Sequence, residues 1–306
     1  MKVTIPDQLK ADIPQTMWGK ILSATPVVMA VVATMLAGLS SSEMTRAQYS
    51  RSLAAQQQSK AGDQWSFFQA KRVRGALQHS TLDMLQSTTE LTALDPGVLK
   101  ADPEIAALLS GAAGDQTLDL LQKGEAPAPG TPPALASDIQ SALKAIEAGN
   151  TDTEIAPFIV VLDPKAIDQS VRSAREFAQS FDDLTKPVNQ LVDKVESQLA
   201  KQAAVGVTRS FTAARLRYTA ARYEVEARLN QSVANLIELQ VRRSNMTAER
   251  HHQRSQHFFF GMLAAQAGVI IATFAVAARK RNLLWSLAAG AGVMAVIFAI
   301  YVYLYV

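Results

Sequence analysis

Three stretches of this chain contain no charged residue: ILSATPVVMAVVATMLAGLS at 21–40, FFFGMLAAQAGVIIATFAVAA at 258–278 and LLWSLAAGAGVMAVIFAIYVYLYV at 283–306. They are 20, 21 and 24 residues long, and roughly 20 residues rising 1.5 Å each cross a ~30 Å hydrocarbon layer. A soluble core seldom needs three such runs, so they are expected to be transmembrane helices. The first follows a polar tail, 1–20, and is longer than the roughly 7–15 apolar residues of a signal peptide, so it is expected to stay as an anchor.

The 217 residues between the first two spans, 41–257, divide by composition. From 41 to 93 the chain is rich in Ala, Gln, Ser, Leu and Arg and lacks proline. That predicts one helix running straight out of the first span and stopped by Asp95-Pro96-Gly97. Residues 94–163 carry 11 acidic against 3 basic side chains, with LDPG, SGAAG and KGEAPAPGTPP as breakers. This segment is expected to form a small acidic cap of short helices around a Pro-rich linker. FIVVL, 158–162, reads equally as a strand or as a buried helical turn.

At Asp163-Pro164 a capping residue and a first-turn proline announce another helix. Apolar positions then recur in steps of three and four, through Ile167, Val171, Phe181, Val188, Leu191, Val195, Phe211, Tyr218, Val225, Val233 and Leu236. This heptad-like seam predicts lengthwise helix packing, and the absence of a strong breaker predicts one continuous helix over 188–278, kinked but not ended at Pro187. The expected fold is therefore an all-α membrane protein: three transmembrane helices with a long antiparallel, coiled-coil-like stalk and a small acidic helical cap. Its parts are tail 1–20, span 21–40, ascending helix 41–93, cap 94–163, descending helix 164–257, span 258–278, basic loop 279–282 and span 283–306.

AGDQWSFFQAKRVRGALQHS, 61–80, concentrates aromatics beside cations. Trp65, Phe68, Val73 and Leu77 fall near one helical face, which assigns them to stalk packing together with Phe181, Leu191, Phe211 and Tyr218. Lys71, Arg72 and Arg74 are placed to pair with acids of the returning helix. Within this stretch, DQWSFFQAKRVR resembles the signature of a bacterial membrane-protein family catalogued as domain of unknown function 4337, whose members show Asp-Gln-Trp, an aromatic pair and Gln-Ala-Lys before a basic residue. The family also has one span before and two after a helical region. The resemblance implies architecture and carries no activity to Trp65, Gln69 or Lys71; no correspondence is visible over 94–163.

Arg279, Lys280 and Arg281 form a short positive loop, which with Lys20 predicts that the N-terminus and this loop lie in the cytoplasm and that the stalk is periplasmic, at a bacterial inner membrane. Arg242, Arg243, Arg250 and Arg254 near the second span weigh the other way, since they suit anionic lipid. Gly261, Ala265 and Gly268 line one helical face, as do Ala288 and Gly292; these are predicted helix contacts within the membrane, whether inside one chain or between copies.

No cysteine is present, and no phosphate loop, nucleophile elbow, zinc-binding helix or dinucleotide fingerprint occurs. His251, His252 and His257 lack metal-pair spacing and read as an interfacial belt, while Asp182-Asp183 reads as solvated. No catalytic residue, metal or cofactor is expected. The expected partners are the lipid bilayer, further copies of the chain and, in an alternative reading, another membrane protein; nucleic acid is not among them. The function expected is a non-enzymatic, self-associating membrane scaffold, because the seam from Ile167 to Leu236 exceeds what one 53-residue partner helix can cover. The alternative is an extracytoplasmic ligand sensor or transporter accessory.

Overall fold

The computed structural model describes residues 17–201, 205–277 and 281–305; nothing but helices, turns and irregular segments occurs among them. The helices are α1 (Met17–Thr88), α2 (Pro96–Leu99), α3 (Pro103–Leu108), α4 (Gly111–Lys123), α5 (Ser137–Glu147), α6 (Asp152–Val160), α7 (Pro164–Leu199), α8 (Val205–Ala277) and α9 (Arg281–Tyr305). Three of them, α1, α8 and α9, are long and apolar enough to cross a membrane. The chain is an all-α membrane protein.

The chain forms two compact units. The first joins Met1–Leu53 to Ser244–Val306. Its interior is rich in small side chains: Ala33, Ala265, Ala272, Ala275, Ala288 and Ala295 are buried, beside Met29, Leu36, Phe258 and Val302, while Val27, Val31, Met35, Phe260, Ile270, Phe274, Val293 and Ile297 are exposed. This is the inverse of a water-soluble bundle, and it suits a hydrocarbon solvent, in which large apolar side chains gain nothing by hiding and small ones let backbones approach. Where the apolar stretches give way to polar sequence, Ser40 and Ser255 each donate a hydroxyl to the other's carbonyl, at 2.9 and 2.8 Å. Glu43, buried, meets Nδ1 of His251 at 2.6 Å and accepts from Arg46 at 3.1 Å. Partner numbers fall on α8 as they rise on α1, so the two run antiparallel.

The second unit is Ala54–Arg243. Gln64 bonds Asn230 and Lys71 pairs with Glu226, so here too α1 and α8 are antiparallel, and just past the end of α1 Thr92 bonds Ser210. Gly75, buried, faces Tyr223 and Ala220 of α8, and a Cβ there would sit in ordinary contact 3.5 Å from Cβ of Tyr223. Helix α7 pairs with the same α8, through Asn189 with Tyr218 and Glu196 with Arg215.

The expectation of one continuous helix over 188–278, within a descending helix 164–257, is thereby corrected. The first helix continues through Pro187 but ends at Leu199, and the chain direction reverses before Val205. The physical reason is burial. Folding back lets Val188, Val192, Val195 and Leu199 cover Phe211, Ala214 and Tyr218, whereas a straight rod would leave that seam in water; tertiary packing overrides a local helix preference that no strong breaker opposed. The ascending helix also stops earlier than 93, at Thr88.

The acidic segment packs on this hairpin. Leu94, Leu99, Ile105, Leu109, Leu118 and Leu121 join the hairpin's core, and further along the chain Glu147 reaches Asn235 and Asp152 reaches Arg242. Asp-Pro starts recur: Asp95, Asp102 and Asp163 each cap a helix whose first residue is proline. Gly124 closes α4 at φ +67, where any side chain would also press on Arg217. FIVVL is helical to Val160; Thr151 opens that helix by donating its N–H to Glu154, which holds the exposed carboxyl below its usual range.

Candidate functional site

Three rows at helical spacing converge on one cleft in the second unit: Lys60, Gln64, Phe67 and Lys71 from α1, Arg175, Ala178, Gln179 and Asp182 from α7, and Glu226, Leu229, Asn230 and Val233 from α8. Its volume is about 620 Å³, within the range of small-molecule pockets. At one end Glu226, only 2 % exposed, lies between Nζ of Lys71 at 2.5 Å and Nη1 of Arg222 at 2.9 Å. Both cations also approach the ring of Tyr223, at 5.6 and 4.5 Å from its centre. A lone carboxylate would not tolerate this depth; two cations and an aromatic face make it tenable.

Asp182 faces the same end. Partial burial, and then the charge of Glu226, raise its carboxyl above the usual range, against the pull of Lys71 and Arg222. Tyr218, buried on the hairpin side, donates to Asn189 at 3.0 Å, and burial pushes its phenol up to about 12. Midway along the cleft Gln64 donates to Asn230 at 2.6 Å and Asn230 donates to the carbonyl of Glu226 at 2.7 Å, which leaves the amide oxygen of Gln64 able to accept. Among the described residues no three His, Asp or Glu side chains lie close enough to hold a metal ion.

Of the residues assigned to stalk packing, Phe181, Phe211 and Tyr218 are buried, and Leu191, Trp65 and Phe68 are half-buried. Trp65 and Phe68 meet edge to face at 5.4 Å. Val73 and Leu77 are corrected: they are 66 % and 60 % exposed, on the side of α1 opposite Gly75 and Leu82, because the packed face follows a shallower drift than the one that joined them to Trp65. Gly261, Ala265, Gly268, Ala288 and Gly292 pack within the chain. Ala265 and Ala288 are fully buried, Gly261 faces Leu36 and Phe298, and Met29 fits a notch that a side chain on Gly268 or Gly292 would fill. Arg279 and Lys280 lie outside the described residues; Arg281 opens α9.

Asp182, expected in solvent, is exposed and also edges the cleft. Glu226 and Asn230 escaped the sequence reading altogether. Their signal was the register itself: on the polar side of the α8 seam, Glu226 and Asn230 stand four apart, and Arg222 stands four before Glu226.

Residues 18–114 match the profile of the family described as Domain of unknown function (DUF4337). Over that stretch the chain carries this domain. The match contains the Asp63-to-Arg74 motif and reaches 114, so the expectation of no correspondence beyond 94 is corrected for its first part. No curated protein and no solved structure matches the chain. The DUF4337 region supplies one wall of the cleft, with Gln64, Phe67 and Lys71; α7 and α8, outside it, supply the others.

Proposed function

We propose that the protein is a non-enzymatic membrane-anchored helical scaffold that self-associates, with its helical unit on the periplasmic side of a bacterial inner membrane. The seam from Ile167 to Leu236 is covered within the chain where α7 and α8 pack on each other, and it offers a second copy nothing there. What supports the reading is the outer face of α1, where Val73, Leu77 and Met84 stand in one row at 66, 60 and 70 % exposure. A row of large apolar side chains in water, opposite a packed face, is what a second copy of the helix would cover.

The test is native mass spectrometry of the full chain released from lipid nanodiscs. The wild type should appear as an oligomer, and V73E together with L77E should shift it to monomer with unchanged helicity. A monomeric wild type would remove the proposal. A second reading, a ligand-receiving sensor or transporter accessory, is favoured by one observation: the cleft at Glu226 is built from three helices and lined by both charged and apolar groups.

A further inference from the structure

The cleft's charges are arranged in a way that selects a ligand class, and the inference here rests on the ligand-receiving reading. Six ionisable side chains line it: Lys60, Lys71 and Arg175 against Asp63, Asp182 and Glu226. Lys71 is bound to Glu226. Lys60 and Asp63 stand one turn apart on the same wall with opposite charges, so together they add no net charge to it. The remaining two, Arg175 and Asp182, have no ion pair among the described residues, and they belong to the same row of α7. Seven residues of helix separate them by about 10.5 Å.

Between these two ends the lining changes character. Ala178, Leu229, Val233 and the exposed ring of Phe67 give apolar contact, and among the described residues no donor reaches the amide oxygen of Gln64. A net anion would meet Asp182 and a net cation would meet Arg175, so a ligand with a single sign is opposed at one end. A molecule with both charges, separated by about 10 Å, satisfies both. Three extended residues span roughly that length, and their backbone N–H groups suit the free acceptor in the middle.

We propose that this cleft binds a zwitterion of tripeptide length, its carboxylate held by the guanidinium of Arg175 and its ammonium by the carboxylate of Asp182. The guanidinium presents a planar pair of donors that matches a terminal carboxylate. An incoming ammonium would give Asp182 a contact partner, where the pull of Lys71 and Arg222 is outweighed by burial and by the charge of Glu226. Glu226, already neutralised, fixes the floor and takes no part in contact with the ligand.

Calorimetry of the full-length protein in nanodiscs, titrated with trialanine, tests this. Saturable binding is expected, weakened at least tenfold when trialanine is N-acetylated or C-amidated. R175Q should lose the discrimination between trialanine and its amide, and D182N that between trialanine and its acetyl form; both positions are exposed, and retained helicity and melting temperature will show that the fold survives. Absence of trialanine binding, or equal binding of the capped forms, overturns the proposal. Phosphate and spermidine serve as probes of a single sign. Saturable binding of either in place of trialanine sinks the zwitterion while sparing the ligand-receiving reading, and silence from every probe counts against both.

Discussion

The two units differ in which side chains they leave outside. In the first, alanines join Met29, Leu36, Phe258 and Val302 inside while many valines, isoleucines and phenylalanines face outward; in the second, Phe181, Phe211, Tyr218 and a set of leucines and isoleucines are buried. One chain therefore uses two packing rules, each set by solvent. In water, large apolar groups are driven inward at about 25 cal/mol per Å². In hydrocarbon that drive vanishes, and close backbone approach around small residues takes its place. The polar interiors differ in the same sense. The first unit pairs neutral serines and holds Glu43 between His251 and Arg46 at the edge of its apolar part, while the second buries Glu226 between two cations, Lys71 and Arg222.

The largest test of this contrast is truncation. Phe211→Ala should cost the second unit about 4 kcal/mol, within the range for a buried aromatic, read as a lower denaturant midpoint by far-ultraviolet circular dichroism. Truncating the exposed Phe274 of the first unit in the same way should change little, and an equal loss at both sites would erase the distinction. Next in size is Glu226→Ala, which strands Lys71 and Arg222. We expect about 3 kcal/mol, the low end for a broken buried pair because Lys71 keeps some access to solvent. Replacing Glu226, Lys71 and Arg222 together by leucine or methionine should recover most of that loss.

Enlargement reverses the order of the units. Ala288→Leu should destabilise the first unit by about 2 kcal/mol through overpacking, measured as a fall in the detergent midpoint, whereas Ala178→Leu on the open cleft wall should be nearly neutral. A last effect is confined to alkali. Because folding raises the Tyr218 phenol from 10.0 to about 12, its contribution to stability is complete below pH 10 and disappears as pH climbs from 10 towards 12. Tyr218→Phe should flatten that part of the stability profile, at a constant cost of about 1 kcal/mol for the unmet Asn189.

Much of the fold was legible. Uncharged length identified the spans, Asp163-Pro164 announced α7, and the small-residue faces of Gly261, Gly268, Ala288 and Gly292 marked contact positions. Asp102-Pro103 carried the same start signal as Asp163-Pro164 and was equally readable. The reversal after Leu199 was not, because the stretch 200–205 has only one residue, Val205, that resists helix, and nothing local forbids continuation. The cleft was illegible for a related cause. Lys71 and Glu226 are 155 positions apart, and Asp182 looks like any solvent-facing acid until α1 and α8 stand beside it.

What the sequence determined by itself was solvent preference: which segments suit lipid, which suit water, and which face of each helix must find a partner. Those follow from composition and periodicity, which are local. Which partner each face found was decided only by the tertiary structure, since a seam that repeats along two helices is satisfied as well by a second copy as by its own continuation folded back. The hairpin of α7 and α8 took the nearer solution, and in doing so it gathered Lys71, Asp182 and Glu226 into one site.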